Sequence, residues 1–170
     1  KDHDINVPKI ISHHPTIGVT IQNDLGDDDL ISLMNDQNRE FLINKSIDLL
    51  VDIHKVDIEG LVHLSSSDLK DQMNKFKYIF CEKFLDISAD ELVNDLIMSA
   101  LDNLQECPKN NCHFDFERRN LILDDRNEVN VIDFQDMCIA PIGIDIAGIL
   151  LDHYMSCLLY TSPSPRDSCA

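Results

Sequence analysis

Residues 113–136 read HFDFERRNLILDDRNEVNVIDFQD, and this stretch decides the fold. Two short apolar runs, 121–123 and 129–132, are separated by the acidic and amide residues 124–127. Apolar runs joined by residues that favour turns are typical of a β-hairpin. We therefore predict a hairpin here, with polar side chains just before its first strand and just after its second.

The polar residues around this hairpin have the spacing of a phosphoryl-transfer site. His113, Asp115 and Asn120 fit the pattern H-x-D-x-x-x-x-N, and Asp133-Phe134 follows the second apolar run. Phosphoryl transfer needs an oriented hydroxyl and cations across the phosphates. We predict Asp115 as the base, Asn120 and Asp133 as oxygen ligands of Mg²⁺, and His113 as a structural hydrogen-bonding residue.

Length and charge restrict the remaining possibilities. A chain of 170 residues suits one domain, and 44% apolar with 26% charged residues is typical of a globular protein rather than a disordered one. The formal net charge of -17 disfavours nucleic acid and anionic membranes as partners. No apolar run is long enough to span a bilayer, so we expect no membrane segment.

The cysteines and the first residues suggest a cytoplasmic protein that begins inside a longer reading frame. Six cysteines in a chain with an ordinary apolar core favour reduced thiols over disulfides. Cys107, Cys112 and His113 lack the close second pair of a zinc site, so zinc is a minor alternative. Lys1 is neither an initiator Met nor the start of a secretory signal.

The C-terminal segment differs from the Ile-, Asn- and Asp-rich chain before it. Residues 157–167 read CLLYTSPSPRD, which matches the translation of a sequencing-library adapter. We expect residues 157–170 to be non-native and exclude them from fold reasoning. A natural Ser/Pro-rich tail is the alternative.

Periodicity predicts the other elements. Residues 7–12 and 18–22 read as strands around a turn at His13-His14-Pro15, and Asp145 opens a final apolar helix. Helical periodicity covers 27–34, 41–54, 67–78 and 88–105, the last with a capping box from Ser88 to Glu91. The predicted buried stripes are Phe41, Ile43, Ile47, Leu50, Val51 and His54 in the second of these helices, and Leu92, Leu96, Ile97, Ala100 and Leu104 in the fourth.

The motifs resemble those of the aminoglycoside phosphotransferase and choline kinase superfamily. Within it, IDFQD at 132–136 and APIGIDIAGILLD at 140–152 are most similar to bacterial cell-wall kinases. Those enzymes phosphorylate the anomeric hydroxyl of N-acetylmuramate or N-acetylglucosamine. The resemblance covers roughly residues 5–155 and is most specific in 112–154.

The resemblance implies an α+β, protein-kinase-like fold. Residues 1–26 would form the end of a truncated N-lobe sheet and the hinge, and 27–156 a truncated, mainly helical C-lobe that carries the catalytic hairpin. Residues 157–170 would be the non-native tail. Upstream of residue 7 the chain has no Gly-rich loop and no Lys-bearing strand, so we expect this piece alone to be inactive.

The resemblance also implies roles for individual residues. The backbone of Asn23 and Leu25 would meet the adenine of ATP, Gln135 and Asp136 would line the acceptor side, and Asp145 would steady the catalytic loop. A polar loop exposed after a strand is the alternative for Gln135 and Asp136. The family roles of Asp115 as base and of Asn120 and Asp133 as Mg²⁺ ligands agree with those predicted from spacing.

Two residues depart from the family pattern, and three functions remain open. Phe114 replaces the usual Arg or Gly, and Glu117 stands where the amino-sugar branch has His. The favoured function is an ATP-dependent phosphotransferase acting on an amino sugar or, second, an aminoglycoside. A pseudokinase-like binding module without catalysis is the alternative. A calcium-binding acidic protein is third: the acidic runs at 27–29 and 124–125 suggest it, but neither has the twelve-residue ligand pattern.

Overall fold

The computed structural model describes residues 5–88 and 90–151. In chain order the elements are β1 (Ile10–His14), β2 (Val19–Gln22), α1 (Leu30–Leu33), α2 (Arg39–Lys55), β3 (Val62–His63), α3 (Ser66–Lys75), a π-helix (Phe76–Phe84), α4 (Asp90–Glu106), β4 (Lys109–Cys112), a 3-10 turn (Arg118–Asn120), β5 (Leu121–Leu123), β6 (Val129–Val131), a second 3-10 turn (Phe134–Asp136), β7 (Cys138–Pro141) and α5 (Gly143–Leu150). The fold is α+β, as predicted.

The first two strands form an antiparallel hairpin whose side chains are exposed on both faces. His14 pairs with Val19, and the His13 ring lies 2.8 Å from the Thr20 hydroxyl oxygen. The predicted turn at His13-His14-Pro15 is therefore wrong, because both histidines belong to β1. The turn lies between the two strands and ends at Gly18, whose φ of +64° is a left-handed conformation that glycine adopts without strain.

The hairpin predicted within residues 113–136 is confirmed as β5 and β6. Leu121 pairs with Val131 and Leu123 with Val129, while the Asn127 N–H donates to the Asp124 carbonyl across the turn at 2.9 Å. The segment after β2 joins this hairpin, because Leu123 N donates to the Asp28 carbonyl at 2.9 Å. The segment that follows β2 is thus directly connected to the hairpin at Asp28.

A three-stranded sheet, in the order β3-β7-β4, was not expected from the sequence. Its strands are short, and the sequences KNNC and CIAP lack the alternation that identifies a strand. In this sheet β4 runs antiparallel to β7, so that Cys112 lies opposite Cys138. Because Cys112 precedes His113 and Cys138 follows Asp136 closely, the sheet brings both ends of the 113–136 stretch together.

The two larger hydrophobic clusters of the described residues hold these elements. The first joins α1, α2, the β5–β6 hairpin and α5 through Leu30, Leu42, Leu49, Leu50, Ile53, Phe116, Leu121, Val129, Val131 and Ile149. The second joins α3, the π-helix and α4 through Leu69, Cys81, Val93, Ile97 and Leu101. The helix predicted over 67–78 begins at Ser66 in the structure and continues into the π-helix.

The buried faces of α2 and α4 differ from the predicted stripes. Leu92 and Leu96 are 77% and 62% exposed, and α4 buries Val93 and Leu101 with Ile97 instead. In α2, Phe41 and Val51 are likewise exposed, while Leu42, Leu49 and Ile53 are buried. Each helix carries apolar residues on adjacent stripes, so periodicity alone does not identify the stripe that meets the neighbouring elements.

Two predictions fall on parts of the chain that the structure does not describe. The capping box at Ser88–Glu91 includes Ala89, and the non-native tail covers residues 157–170; both positions lie outside the described residues. No helix within 5–88 and 90–151 has the length and apolar character needed to cross a membrane.

One buried amide joins α2 to β4. Asn111 is 4% exposed, and its Nδ2 donates to the carbonyls of Ile53 at 3.0 Å and Val56 at 2.5 Å. These carbonyls lie at the C-terminal end of α2, where backbone donors are few: Ile53 also accepts the Val56 N–H at 3.3 Å. Asn111 therefore caps α2 from the strand that leads into the catalytic motif.

We predict that Asn111→Ala lowers the free energy of unfolding by about 1–3 kcal/mol, because the carbonyls of Ile53 and Val56 each lose a buried or part-buried hydrogen bond. Urea unfolding followed by circular dichroism measures this difference. Asn103→Ala is the matched control, since Asn103 is exposed on α4 and donates only to the Ser99 carbonyl of its own helix. Equal stability of the two variants would contradict the capping role of Asn111.

Candidate active site

A buried carboxylate fixes the backbone at the start of the H-x-D motif. Asp145, 1% exposed in the first turn of α5, accepts the backbone N–H of His113 at 2.6 Å and that of Phe114 at 2.9 Å. Burial raises the pKa of Asp145, and the two N–H donors oppose this rise. Phe114 has a φ of +72°, a strained conformation for a residue other than glycine. The Asp145 carboxylate holds the loop in this conformation.

His113 connects the loop to the end of β6. Its ring is fully buried, and Nε2 lies 2.9 Å from the Ile132 carbonyl oxygen. A carbonyl only accepts hydrogen bonds, so Nε2 carries the proton and donates. The ring also packs edge-to-face against Phe116, with the centroids 6.0 Å apart. His113 thus links the loop around Asp115 with the residue directly before Asp133.

Asp115 presents a partly exposed carboxylate with two donors on one oxygen. Arg119 Nη2 and Asn120 Nδ2 donate to its Oδ2 at 3.0 and 2.9 Å. Partial burial pushes the pKa of Asp115 upward, but the hydrogen bonds from Arg119 and Asn120 and the Arg119 charge outweigh it, so the pKa lies below its ordinary value. At neutral pH the group is an ionised acceptor.

Asn120 and Asp133 lie at the same open end of the hairpin. The Ile132 N–H donates to the Asn120 carbonyl at 3.0 Å, which extends the pairing of β5 and β6 by one step. Asn120 is buried and uses its side-chain nitrogen on Asp115, so its side-chain oxygen is left for another partner. Asp133 is exposed and adopts a left-handed backbone with φ of +65°.

These two side chains fit Mg²⁺ better than they fit a metal that requires an all-protein cage. Within the described residues no group of three or more His, Cys, Asp or Glu side chains is placed to hold a metal ion. Mg²⁺ binds hard oxygens, usually one or two protein ligands together with water and phosphate oxygens. The Asn120 amide oxygen and the Asp133 carboxylate are oxygens of this kind.

A cleft separates the hinge from the hairpin. One part, of about 370 Å³, is lined by the hinge residues 23–26 together with Pro8, Gln22, Ile122 and Ile132. An adjoining part, of about 210 Å³, shares Pro8, Gln22 and Ile132 and reaches Asp133, Phe134 and Gln135. The hinge end combines apolar side chains with the polar residues 22–24, and the other end carries the Asp133 carboxylate.

The two predicted hinge residues are placed differently. The Asn23 N–H donates to the Lys9 carbonyl at 3.0 Å, and the Asn23 side-chain oxygen accepts the Lys9 N–H. Asn23 therefore closes the β1–β2 hairpin, and its own backbone N–H is already used. Leu25 lines the cleft. The Gly26 N–H donates a hydrogen bond of 2.9 Å to the Asp24 carboxylate, which closes a turn around Leu25.

Gln135 and Asp136 are exposed in the 3-10 turn after Asp133, close to the site but without a contact that defines a ligand.

Cys112 and Cys138, which lie opposite each other in β4 and β7, are buried. Burial raises the pKa of the Cys112 thiol to about 12, and its Sγ donates to the Ala140 carbonyl at 3.3 Å. The four described cysteines, at 81, 107, 112 and 138, are free thiols.

Helix α5 touches the catalytic loop a second time. A Cβ built on Gly148 would lie 2.6 Å from the Phe116 carbonyl oxygen and 3.3 Å from its carbonyl carbon. Real side chains do not approach a backbone this closely, so only glycine fits here. The loop residue after Asp115 therefore rests directly on the backbone of α5.

Two residues of this site, Gly148 and Glu117, were not assigned roles from the sequence. Gly148 gave no signal, because a glycine inside an apolar helix indicates close packing without naming the partner. Glu117 lies two positions after Asp115, and its Oε1 forms an ion pair with Arg119 Nε. Alternating charges around Asp115 were the only available signal for Glu117.

The architecture is the kinase-like fold of phosphotransferases. An aminoglycoside-3′-phosphotransferase of type VIII superposes with a TM-score of 0.58 at 18% identity, over 87% of this chain and 58% of that one. A choline kinase of Streptococcus pneumoniae superposes with a TM-score of 0.61 at 15% identity, over 94% of this chain and 57% of that one.

The chain belongs to the phosphotransferase enzyme family, whose sequence profile matches residues 1–158. It is 28% identical over 160 residues to an N-acetylmuramate/N-acetylglucosamine kinase of Neisseria meningitidis serogroup B, an alignment over 89% of this chain and 48% of that protein. The resemblance identified from the sequence motifs is confirmed. The chain spans about half the length of the relatives it matches.

We predict that Asp145→Asn lowers the free energy of unfolding by about 1–3 kcal/mol, because one buried N–H loses its acceptor and meets an amide donor instead. Asp124→Asn is the matched control. Asp124 also accepts two backbone N–H groups, from Arg126 and Glu128, but through one oxygen in a turn. Denaturant unfolding compares the two, and equal losses would contradict the two-oxygen clamp of Asp145.

We predict that Gly148→Ala destabilises the protein by about 1–3 kcal/mol, since the new methyl group overlaps the Phe116 carbonyl. The same change at an open helix position usually stabilises, so the sign is diagnostic. Gly143→Ala, at the start of the same helix with nothing within 4 Å, is the control and should be neutral or stabilising. Thermal unfolding of both variants decides, and a stable Gly148→Ala variant would show that α5 can move away from the loop.

Proposed function

We propose that this chain forms part of an ATP-dependent phosphotransferase that moves the γ-phosphate of ATP to a hydroxyl of a small molecule. One observation carries the proposal: the cleft that runs from Leu25 at the hinge to Asp133, with Asp115 on the neighbouring loop. A nucleotide needs apolar contacts for its base and cations at its phosphates. The apolar residues at the hinge end would supply the first, and the Asp133 carboxylate at the other end would hold a cation for the second.

In this proposal Asp115 is the catalytic base. Its low pKa keeps it ionised at neutral pH, so its carboxylate can orient the acceptor hydroxyl and take its proton as the phosphoryl group transfers. Asp145 and His113 do not touch the reactants. They hold the loop so that the Asp115 side chain faces the end of the hairpin where Asn120 and Asp133 lie.

Asn120 and Asp133 would hold Mg²⁺ through their side-chain oxygens. When bound, the ion neutralises the charge that develops on the phosphate oxygens during transfer. The chain's own contribution is to fix the two oxygens at one end of the hairpin through the hydrogen bond from Ile132 N to the Asn120 carbonyl. Asp133 keeps its carboxylate exposed toward the cleft that also contacts Phe134 and Gln135.

The adenine of ATP would lie at the hinge end, between Ile122 and Ile132 on one side and Pro8 on the other. Leu25 is the better candidate for a backbone contact with the base, because the Asn23 N–H already pairs with Lys9. ATP as the donor agrees with the cytoplasmic location predicted from the sequence.

An amino sugar is the favoured acceptor, and an aminoglycoside is second. The Asp-Phe-Gln-Asp stretch from Asp133 to Asp136 and the similarity to an N-acetylmuramate/N-acetylglucosamine kinase support the first. The net charge of -17 would attract a polycationic aminoglycoside, which supports the second. Gln135 and Asp136 are exposed beside Asp133 and are the proposed acceptor-side residues.

We predict that Asp115→Asn and Asp133→Ala each lower the rate of phosphate transfer by about 10²–10⁴-fold in the full-length gene product, with amino sugars, aminoglycosides and choline as acceptors. Radiolabelled ATP reports the transfer, and calorimetry reports ATP binding. Asp115→Asn should still bind ATP with Mg²⁺, whereas Asp133→Ala should lose the Mg²⁺-dependent part of the affinity.

Asp125→Asn is the control, because Asp125 is exposed in the hairpin turn away from Asp115. Its rate should equal that of the unmodified protein. Near-normal transfer in the Asp133→Ala variant would contradict the proposal. Nucleotide binding without transfer to any acceptor would favour the binding module without catalysis.

A further inference from the structure

Three charged side chains of the catalytic loop form a chain of contacts. Arg119 Nη2 donates to Asp115 Oδ2 at 3.0 Å, and Arg119 Nε pairs with Glu117 Oε1. One guanidinium group therefore bridges two carboxylates through two different nitrogens. A planar fork of donors is suited to this geometry, which the single ammonium of a lysine does not reproduce.

The three members differ in exposure. The Glu117 side chain is only 13% exposed, against 50% for Arg119 and 41% for Asp115. Glu117 is also fixed at its backbone, because its N–H donates to the Asp115 carbonyl at 3.0 Å and its carbonyl accepts the Asn120 N–H at 2.9 Å. Glu117 is thus the anchored end, and Arg119 carries its position out to Asp115.

This arrangement restricts the orientation of the Asp115 carboxylate. The terminal torsion of an Asp side chain is broad, so a carboxylate at the surface turns readily. Here the donors from Arg119 and Asn120 both end on Oδ2. Two donors on one oxygen limit the rotation of the carboxylate that would meet the acceptor hydroxyl.

We propose that Arg119, held by Glu117, is a positioning residue that orients the Asp115 carboxylate for proton transfer. The proposal rests on the proposed function, in which Asp115 is the base. It assigns Glu117 a role in this chain at the position where amino-sugar kinases usually carry His. In this role the Glu117 carboxylate holds the Arg119 guanidinium and does not itself contact the substrate or the phosphates.

The ion pair between Arg119 and Asp115 contributes little to stability, because both side chains are partly in water. Arg119→Gln keeps an amide donor for the less exposed Glu117 carboxylate. This substitution should therefore leave the fold intact and change mainly the orientation of the base. A small misplacement of a catalytic group is sufficient to cost about 10²-fold in rate. This separates a positioning role from a structural one.

The test is steady-state kinetics of phosphate transfer with the full-length gene product. For Arg119→Gln we expect kcat to fall about 10- to 100-fold, while KM for ATP stays within about threefold and the melting temperature is unchanged. Arg119→Lys should recover only part of kcat, since one ammonium does not bridge Asp115 and Glu117. Arg126→Gln, an exposed cation of the hairpin turn, is the matched control and should leave kcat unchanged.

A double-mutant cycle tests the link through Glu117. We expect Glu117→Gln to lower kcat less than Arg119→Gln does, and the loss in the double variant to be smaller than the product of the two single losses, because Arg119 joins Glu117 to Asp115. Independent, multiplying losses would overturn the proposed relay. A lowered melting temperature, or an equal rise in KM for ATP, would overturn the positioning role.

Asp115→Asn separates this inference from the proposed function. If Asp115→Asn abolishes transfer while Arg119→Gln keeps full kcat, the function stands and the positioning role of Arg119 is wrong. If Asp115→Asn retains transfer, Asp115 is not the base, and both are overturned.

Discussion

The two hydrogen bonds from His113 N and Phe114 N to the buried Asp145 carboxylate are the interaction on which the site depends. They join α5 to the catalytic loop and hold Phe114 at a positive φ. A buried carboxylate is costly unless donors satisfy it, so the loop and the helix need each other. The close approach of Gly148 to Phe116 fixes the same helix against the same loop a few residues further along.

The site combines a buried support with exposed functional groups. His113 and Asn120 are buried, whereas Asp115 and Asp133 reach solvent. Each exposed carboxylate follows closely on a residue that the fold holds in place, His113 for Asp115 and Ile132 for Asp133, and these two residues are joined by the His113 ring. Rigid neighbours limit the movement of the reactive groups without removing them from the cleft.

Local sequence predicted those parts of the fold that local interactions stabilise. The hairpin around Asp124–Asn127 formed as expected, because its turn residues and apolar runs are adjacent in the chain. The turn at His13-His14-Pro15 was wrong, since Gly18 supplied a more favourable left-handed position. The exposed Leu92 shows a different error, because adjacent apolar stripes compete on one helix and only the packing partner selects between them.

The sequence by itself determined the order of the catalytic motif, the hairpin within it and the family to which the chain belongs, because residue identity and spacing carry all three. Tertiary structure alone decided how the motif is held. The sheet of β3, β7 and β4 and the burial of Asp145 under the loop depend on contacts that spacing does not specify. Such contacts form only when distant backbone segments bury their polar groups together, and each of those groups then requires a partner.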